Sequence, residues 1–151
     1  MHNFPKIIGT LADKAANALI GSVDGNGCPE IKAMLAPRKR KGISRFWFTT
    51  NTSSRRVAHF RKNPKACIYF FDSRFYKGVM LQGTMEVLED VASKKMIWKE
   101  GDTMYYPKGV TDPDYCVLRF TATTGRYYGE FHSEDFTVNI TTENTENTEK
   151  Y

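Results

Sequence analysis

Apolar residues recur along this chain in short, distinct patterns. Ile7, Ile8, Leu11, Ala15 and Ala18 fall near helical spacing, which predicts a helix over Phe4 to Ala18. Two strand-like runs follow, Ala18 to Val23 and Pro29 to Ala36, separated by Asp24-Gly25-Asn26-Gly27. That tetrapeptide is a tight-turn signal and predicts a hairpin. Pro29 suits the first position of a strand, where a missing N–H is tolerated. Arg38 to Gly42 reads as a basic turn, and Ile43 to Thr50 as a third strand in which Phe46 and Phe48 alternate with Trp47.

A helix over Ser54 to Lys62 is expected next, closed by Asn63-Pro64. Ala66 to Phe71 and Val79 to Leu88 are rich in strand formers, with Gly83 marking a bulge or a close approach. Asp90 to Lys99 reads as a helix with an acidic cap, and Gly101 to Pro113 as a loop with a short helix. Tyr115 to Thr123 and Arg126 to Phe131 are the last predicted strands, joined at Thr124-Gly125. About seven strands and three helices, with hairpins dominating, favour an antiparallel α+β domain, a closed barrel being one solution. From Asn139 onward a polar near-repeat of Asn, Thr and Glu has little apolar surface to bury. The domain is therefore placed at residues 5–137 and a disordered polar tail at 138–151.

Composition narrows this picture. A chain of 151 residues suits one domain with one core. No apolar run approaches the roughly 20 residues of a membrane span. Met1 to Thr10 shows no basic region followed by a long apolar stretch, so a cytoplasmic setting is expected. Cys28, Cys67 and Cys116 are far apart and odd in number, which argues against a disulfide framework or a zinc site. The net charge of +5 is unevenly spread: residues 1–77 hold 15 of the 22 Lys/Arg and only 4 of the 17 Asp/Glu. A basic half attracts anions, whether a phosphorylated cofactor, a nucleic acid or nothing specific.

The sharpest chemical signal is Thr49-Thr50-Asn51-Thr52-Ser53-Ser54-Arg55-Arg56-Val57. Ser53 or Ser54 can cap a helix by accepting a backbone N–H. Two arginines follow at once, although the positive end of a helix dipole prefers acids. Exposed amides, hydroxyls and two guanidinium groups together describe a phosphate site. The plainer alternative is a capped helix whose arginines point into water.

The segment Phe46 to Val57, followed by Phe60-Arg61-Lys62-Asn63-Pro64-Lys65-Ala66, resembles the pyridoxamine 5′-phosphate oxidase-like family of FMN-binding split barrels, and within it the general stress protein 26 branch. Leu81-Gln82-Gly83-Thr84-Met85-Glu86-Val87 and Tyr106 to Tyr115 agree, and the match runs in order over roughly residues 5–131. The resemblance implies a six-stranded antiparallel split β-barrel with flanking helices, forming a homodimer with FMN in clefts between subunits. It implies that Lys32, Ser54, Arg55 and Arg56 hold the FMN phosphate. Ala33, Met34 and Leu35 would lie along the flavin ring, and Thr49 and Thr50 beside the phosphoribityl chain. Tyr128 would reach the flavin from the partner subunit, at a position where relatives often carry Trp. The vitamin B6 oxidases of the family carry a Trp-x-x-Arg-Leu element; here the chain reads Tyr128-Gly129-Glu130-Phe131-His132 without an arginine, which speaks against vitamin B6 oxidation.

The remaining candidates have ordinary readings. A lone strand lysine such as Lys32 is usually solvated, and Met34 can serve the core. His59 reads as a packing or surface histidine, since no Asp or Ser lies near it in sequence as a partner. Tyr105, Tyr106 and Trp98 fit either the substrate side of a flavin or an interface. Arg38 to Lys41 reads as a solvated turn, with polyanion contact as the alternative. No residue stands out as a catalytic acid or base, and no metal site is expected. The expectation is an FMN flavoprotein acting as an oxidoreductase, with NAD(P)H as the candidate donor. The alternatives are a non-catalytic flavin carrier or sensor, a basic nucleic-acid-contacting protein, and the same fold holding a deazaflavin or haem.

Overall fold

The computed structural model describes residues 3–139 and 149–150. Helix α1 (Phe4–Lys14) opens under an Asn3 cap and buries Ile8 and Ala12. It stops four residues earlier than its apolar spacing predicts, because Ala15 turns extended and Asn17 and Ala18 pair with the neighbouring strand. Strands β1 (Asn17–Val23) and β2 (Pro29–Leu35) form the expected hairpin, in register from Val23 opposite Pro29 to Asn17 opposite Leu35. The basic turn contains a short strand, β3 (Lys39–Lys41), which pairs with β4 (Arg45–Asn51). Then come α2 (Arg55–Lys62), β5 (Lys65–Asp72), β6 (Lys77–Leu88) and α3 (Val91–Met96). Two single 3₁₀ turns, at Asp102–Met104 and Gly109–Thr111, occupy the predicted loop.

The last part of the domain differs from its prediction. Tyr115 to Gly129 is one continuous strand, β7, and a further strand, β8 (His132–Thr137), folds back on it. Gly125 is not a turn. It sits in β7 where a Cβ would collide with the Phe136 ring, so it permits β8 to lie close. The true reversal is at Glu130 and Phe131, both with positive φ (54° and 66°), a conformation that favours Gly, Asn or Asp and gives no signal in this pair.

All strand pairing among the described residues is antiparallel, in the order β2-β1-β5-β6-β7-β4-β3, with β8 on the far half of β7. Strand β7 is shared: its first half lies between β6 and β4, its second between β6 and β8. The sheet stays open, since no ladder among the described residues joins β2 to the β3 side; a closed barrel does not form. Glu149–Lys150 (β9) pairs with β3; apart from these two, Val138 and Asn139, the polar tail lies outside the described residues. No helix among the described residues is long and apolar enough to cross a membrane.

Strand β4 is covered on both faces. Phe46 and Phe48 join Ile20, Phe70, Leu81 and Phe120 in the main core, while Trp47 joins Ile97, Tyr106, Tyr115 and Val117 in a second cluster. The predicted bulge is present: the β6–β7 register shifts between Gln82 and Gly83. A Cβ at Gly83 would run into the Thr121 carbonyl oxygen.

Candidate anion site at the start of the second helix

Ser54 is the cap of α2. Its hydroxyl accepts the Val57 N–H at 3.4 Å, and no acid lies in the first turn. The amides of Arg55 and Arg56 have no acceptor one turn back, as at any helix start. The preceding loop is fixed by Asp114, which accepts from Asn51 Nδ2 and the Ser53 N–H, both at 2.8 Å, while its backbone carbonyl accepts the Thr52 N–H at 2.8 Å. Hydrogen bonds from Asn51 and Ser53 hold the Asp114 carboxyl below its ordinary range. The Thr-Asn-Thr-Ser-Ser run therefore presents α2 in one fixed attitude.

The two arginines differ. Arg55 is largely exposed and meets Glu30 on β2 at 2.8 Å. Arg56 is half-buried; its Nε is shielded and without a hydrogen-bond partner, and burial lowers its pKa. A desolvated guanidinium nitrogen lacking an acceptor calls for an anion. Glu30 also faces His59 Nε2 at 3.9 Å, and His59 Nδ1 lies 2.8 Å from Ser22 Oγ. His59 thus has Ser22 and Glu30 as partners, neither of them near it in sequence. These partners lie 37 and 29 positions away and are brought in only by the β1–β2 hairpin, so local sequence gave no sign of them. Ser22 is buried and bound to Nδ1, and Nε2 faces the acid, so the trio is a tether and not a hydrolytic triad.

Lys32 lies two residues beyond Glu30 and shares its strand face, as does Met34, which is buried in the main core. Ala33 and Leu35 point to the opposite face. The structure thus brings β2 and the start of α2 together through Glu30 and Arg55. Thr50 lies near the end of β4, the strand that leads into α2, buried opposite Cys116; Thr49 faces the second cluster, where its side chain hydrogen-bonds Tyr106. Burial pushes the Tyr106 phenol up to about 12. Tyr128 stands on β7, four strands from Lys32 or about 19 Å along the sheet at ordinary strand spacing, in edge contact with Tyr76.

Other candidates resolve differently. Within the tetrabasic stretch, Arg38 forms a two-point pair with Asp102 and Arg40 one with Asp13. Lys39 lies over the Trp47 ring, and Arg40 is buried. The stretch is thus no solvated turn. Tyr106 and Trp98 pack with Tyr115 in the second cluster. Among the described residues, no group of three His, Cys, Asp or Glu could hold a metal.

An open antiparallel sheet with a capped, arginine-headed helix against its first hairpin defines a split-barrel domain. The chain belongs to the family described as pyridoxamine 5′-phosphate oxidase like, which matches residues 8–150. It is similar in structure to a protein related to general stress protein 26 of Bacillus subtilis, from Clostridium acetobutylicum: 41% identity, TM-score 0.82, 93% of this chain and 96% of that one. A pyridoxamine 5′-phosphate oxidase-related, FMN-binding protein from Nostoc punctiforme shares the fold at 12% identity and TM-score 0.66, over 92% and 98%. A heme-binding protein from Mycobacterium smegmatis does so at 15% identity and TM-score 0.73, over 91% of this chain and 59% of that one. Among curated proteins none matches.

Proposed function

We propose that this chain binds FMN without a covalent link, at a cleft completed by a second copy, and acts as a flavin-dependent oxidoreductase other than a vitamin B6 oxidase. The observation that carries the reading is Arg56. Its Nε is shielded from solvent without a partner, and the residue stands in the first turn of a helix that carries no acid there. A terminal phosphate supplies the missing acceptors and charge. Lys32, Ser54, Arg55 and Arg56 would hold that phosphate. The β2 segment Ala33, Met34 and Leu35 would offer backbone groups at an edge strand, and Thr49 and Thr50 would end the strand leading to the site. When bound, FMN supplies reversible redox chemistry, with NAD(P)H as the candidate donor.

The second copy is supported by the outer sheet face. Ile31 (69% exposed), Leu35, Leu19 and Phe71 lie open on β2, β1 and β5, and Tyr76 and Tyr128 continue the patch. A contiguous apolar face of this extent is typical of an interface. Tyr128 would then meet the flavin held by its partner. Haem, which the Mycobacterium smegmatis protein binds, is less well served: His59 has both ring nitrogens directed at Ser22 and Glu30. Nucleic acid is less well served too, because Arg38 and Arg40 are consumed by Asp102 and Asp13.

The absorbance spectrum of purified protein and a fluorescence titration with FMN test this reading. Arg55→Ala with Arg56→Ala should weaken FMN binding at least about tenfold, as loss of charge-assisted phosphate contacts requires. Unchanged affinity would overturn the phosphate assignment, and steady-state NAD(P)H oxidation separates an enzyme from a carrier.

A further inference from the structure

One carboxylate oxygen, Glu30 Oε2, faces two basic side chains. It lies 2.8 Å from Arg55 Nη2 and 3.9 Å from His59 Nε2. The imidazole is held from behind, since Ser22 Oγ sits 2.8 Å from Nδ1 and Ser22 is 4% exposed. A serine hydroxyl can donate to a neutral Nδ1 or accept from a protonated one, so the tether survives either charge state. With Ser22 donating, the single ring proton of neutral His59 is on Nε2, directed at Glu30.

We infer that His59 is a positioning residue for the anion site: it competes with Arg55 for Glu30, so protonation of His59 releases Arg55 to a phosphoryl ligand. This rests on the phosphate reading above. With His59 neutral, the Glu30 charge belongs mainly to Arg55 and cancels much of that guanidinium's pull on an incoming dianion. With His59 protonated, the imidazolium takes up the Glu30 charge, and both cations face the ligand with one acid between them.

The surrounding charges leave this exchange to the three residues. From the β1–β2 turn, Asp24 feels both His59 and Arg55, but its carboxylate is bound by the Asn26 and Cys28 amides at 2.9 Å. From β2, Lys32 shares the Glu30 face. On the β6 side of α2, Glu86 is held by Arg119 and Glu89 by Arg61. On α2 itself, Arg56 and Lys62 add positive charge near the ring. The coupling is modest, because Arg55 is 72% and Glu30 31% exposed and water screens both.

The test compares FMN affinity of the wild type and His59→Asn at about pH 5.5 and about pH 8, which bracket an ordinary histidine. The ligand phosphate titrates in the same range, near 6, and the comparison of variants cancels it. The wild type should gain affinity over His59→Asn by about threefold on acidification, the size expected of an exposed pair. Glu30→Gln should bind FMN about threefold more tightly than wild type at pH 8. Parallel profiles, or weaker binding by Glu30→Gln, overturn the inference. A second readout needs no flavin: the NMR titration of the His59 ring in ligand-free protein. Glu30→Gln should lower its midpoint and Arg55→Ala should raise it, and the Arg55→Ala rise should at least halve in the Glu30→Gln background. A rise that persists undiminished shows direct repulsion without competition, and overturns the inference. Wild type that takes up no FMN sinks the flavin reading instead, while the ring titration still decides the competition.

Discussion

Arg38 and Asp102 meet across 64 residues in a two-point ion pair, Nη1 to Oδ2 at 2.9 Å and Nη2 to Oδ1 at 2.8 Å. The same guanidinium donates to the Ile97 carbonyl, and the same carboxylate accepts the Lys99 N–H. Both side chains are nearly buried. One contact thus ties the end of α3 and the first 3₁₀ turn to the segment between β2 and β3. This closes the second cluster, where Tyr106, Tyr115 and Trp98 pack in tilted contact.

Asp102→Ala strands the Arg38 charge in that closed site, and should cost about 3–5 kcal/mol in urea unfolding at neutral pH. The pH dependence follows in sign. Burial alone would raise the Asp102 carboxyl, but Arg38 and the Lys99 amide outweigh it and hold it below its ordinary value. A depressed folded pKa gives stabilisation that is complete above the unfolded value, about 3.9, and lost as pH falls through the folded one. The gap between wild type and Asp102→Ala should therefore narrow below about pH 4. Equal unfolding midpoints at neutral pH would contradict the pair's role.

Two glycines on the central strands should respond differently to alanine. At Gly83 the added methyl meets the Thr121 carbonyl, backbone that the β6–β7 ladder fixes, and we expect a loss of about 3 kcal/mol. At Gly125 it meets the ring of Phe136, a side chain that can turn aside, and the loss should be about 1 kcal/mol. Thermal melts of both variants test the order; a reversed ranking would mean that the bulge yields more easily than the ring.

What could be read from the residues alone follows the range of the signal. The Asp24 to Gly27 turn, the Asn63-Pro64 stop and the Gly83 bulge are local, and the structure has all three. The Ser54 cap was one of two open options and is now assigned. Strand β8 was missed because its turn uses Glu130 and Phe131, which carry no turn preference, and because Gly125 imitates a turn while serving close strand packing. The charge partners of Arg38, Arg40 and His59 were unreadable for a different reason. Each lies 27 or more residues away, and only the sheet order brings it near.

Asp114 offers a way to disturb the anion site without touching its cations. Its carboxylate binds Asn51 Nδ2 and the Ser53 amide, which position the residues just before the Ser54 cap. Asp114→Ala removes both bonds from an exposed site, so the fold should be little affected. We expect FMN affinity to fall about fivefold, the worth of roughly 1 kcal/mol of lost positioning. Full affinity in this variant would show that the α2 start is held in place by other contacts.

The outer sheet face supplies the most demanding expectation. Ile31 and Leu35 lie on the same side of an edge strand, beside Leu19 on β1 and Phe71 on β5. None of these four contributes to the buried core, so a charge there costs the monomer little. Ile31→Glu with Leu35→Glu should therefore leave the far-UV dichroism and the unfolding midpoint close to wild type. In a two-copy assembly the same charges would face a desolvated apolar surface, and the pair should dissociate. Sedimentation would then give a monomer, and FMN binding would fall with it, because Tyr128 lies four strands from Lys32 and reaches a shared flavin only from a second chain. A variant that stays monomeric yet binds FMN as tightly as wild type would show that one chain holds the cofactor alone. A wild type that sediments as a monomer would remove the role proposed for Tyr128 and leave the phosphate site on α2 untouched.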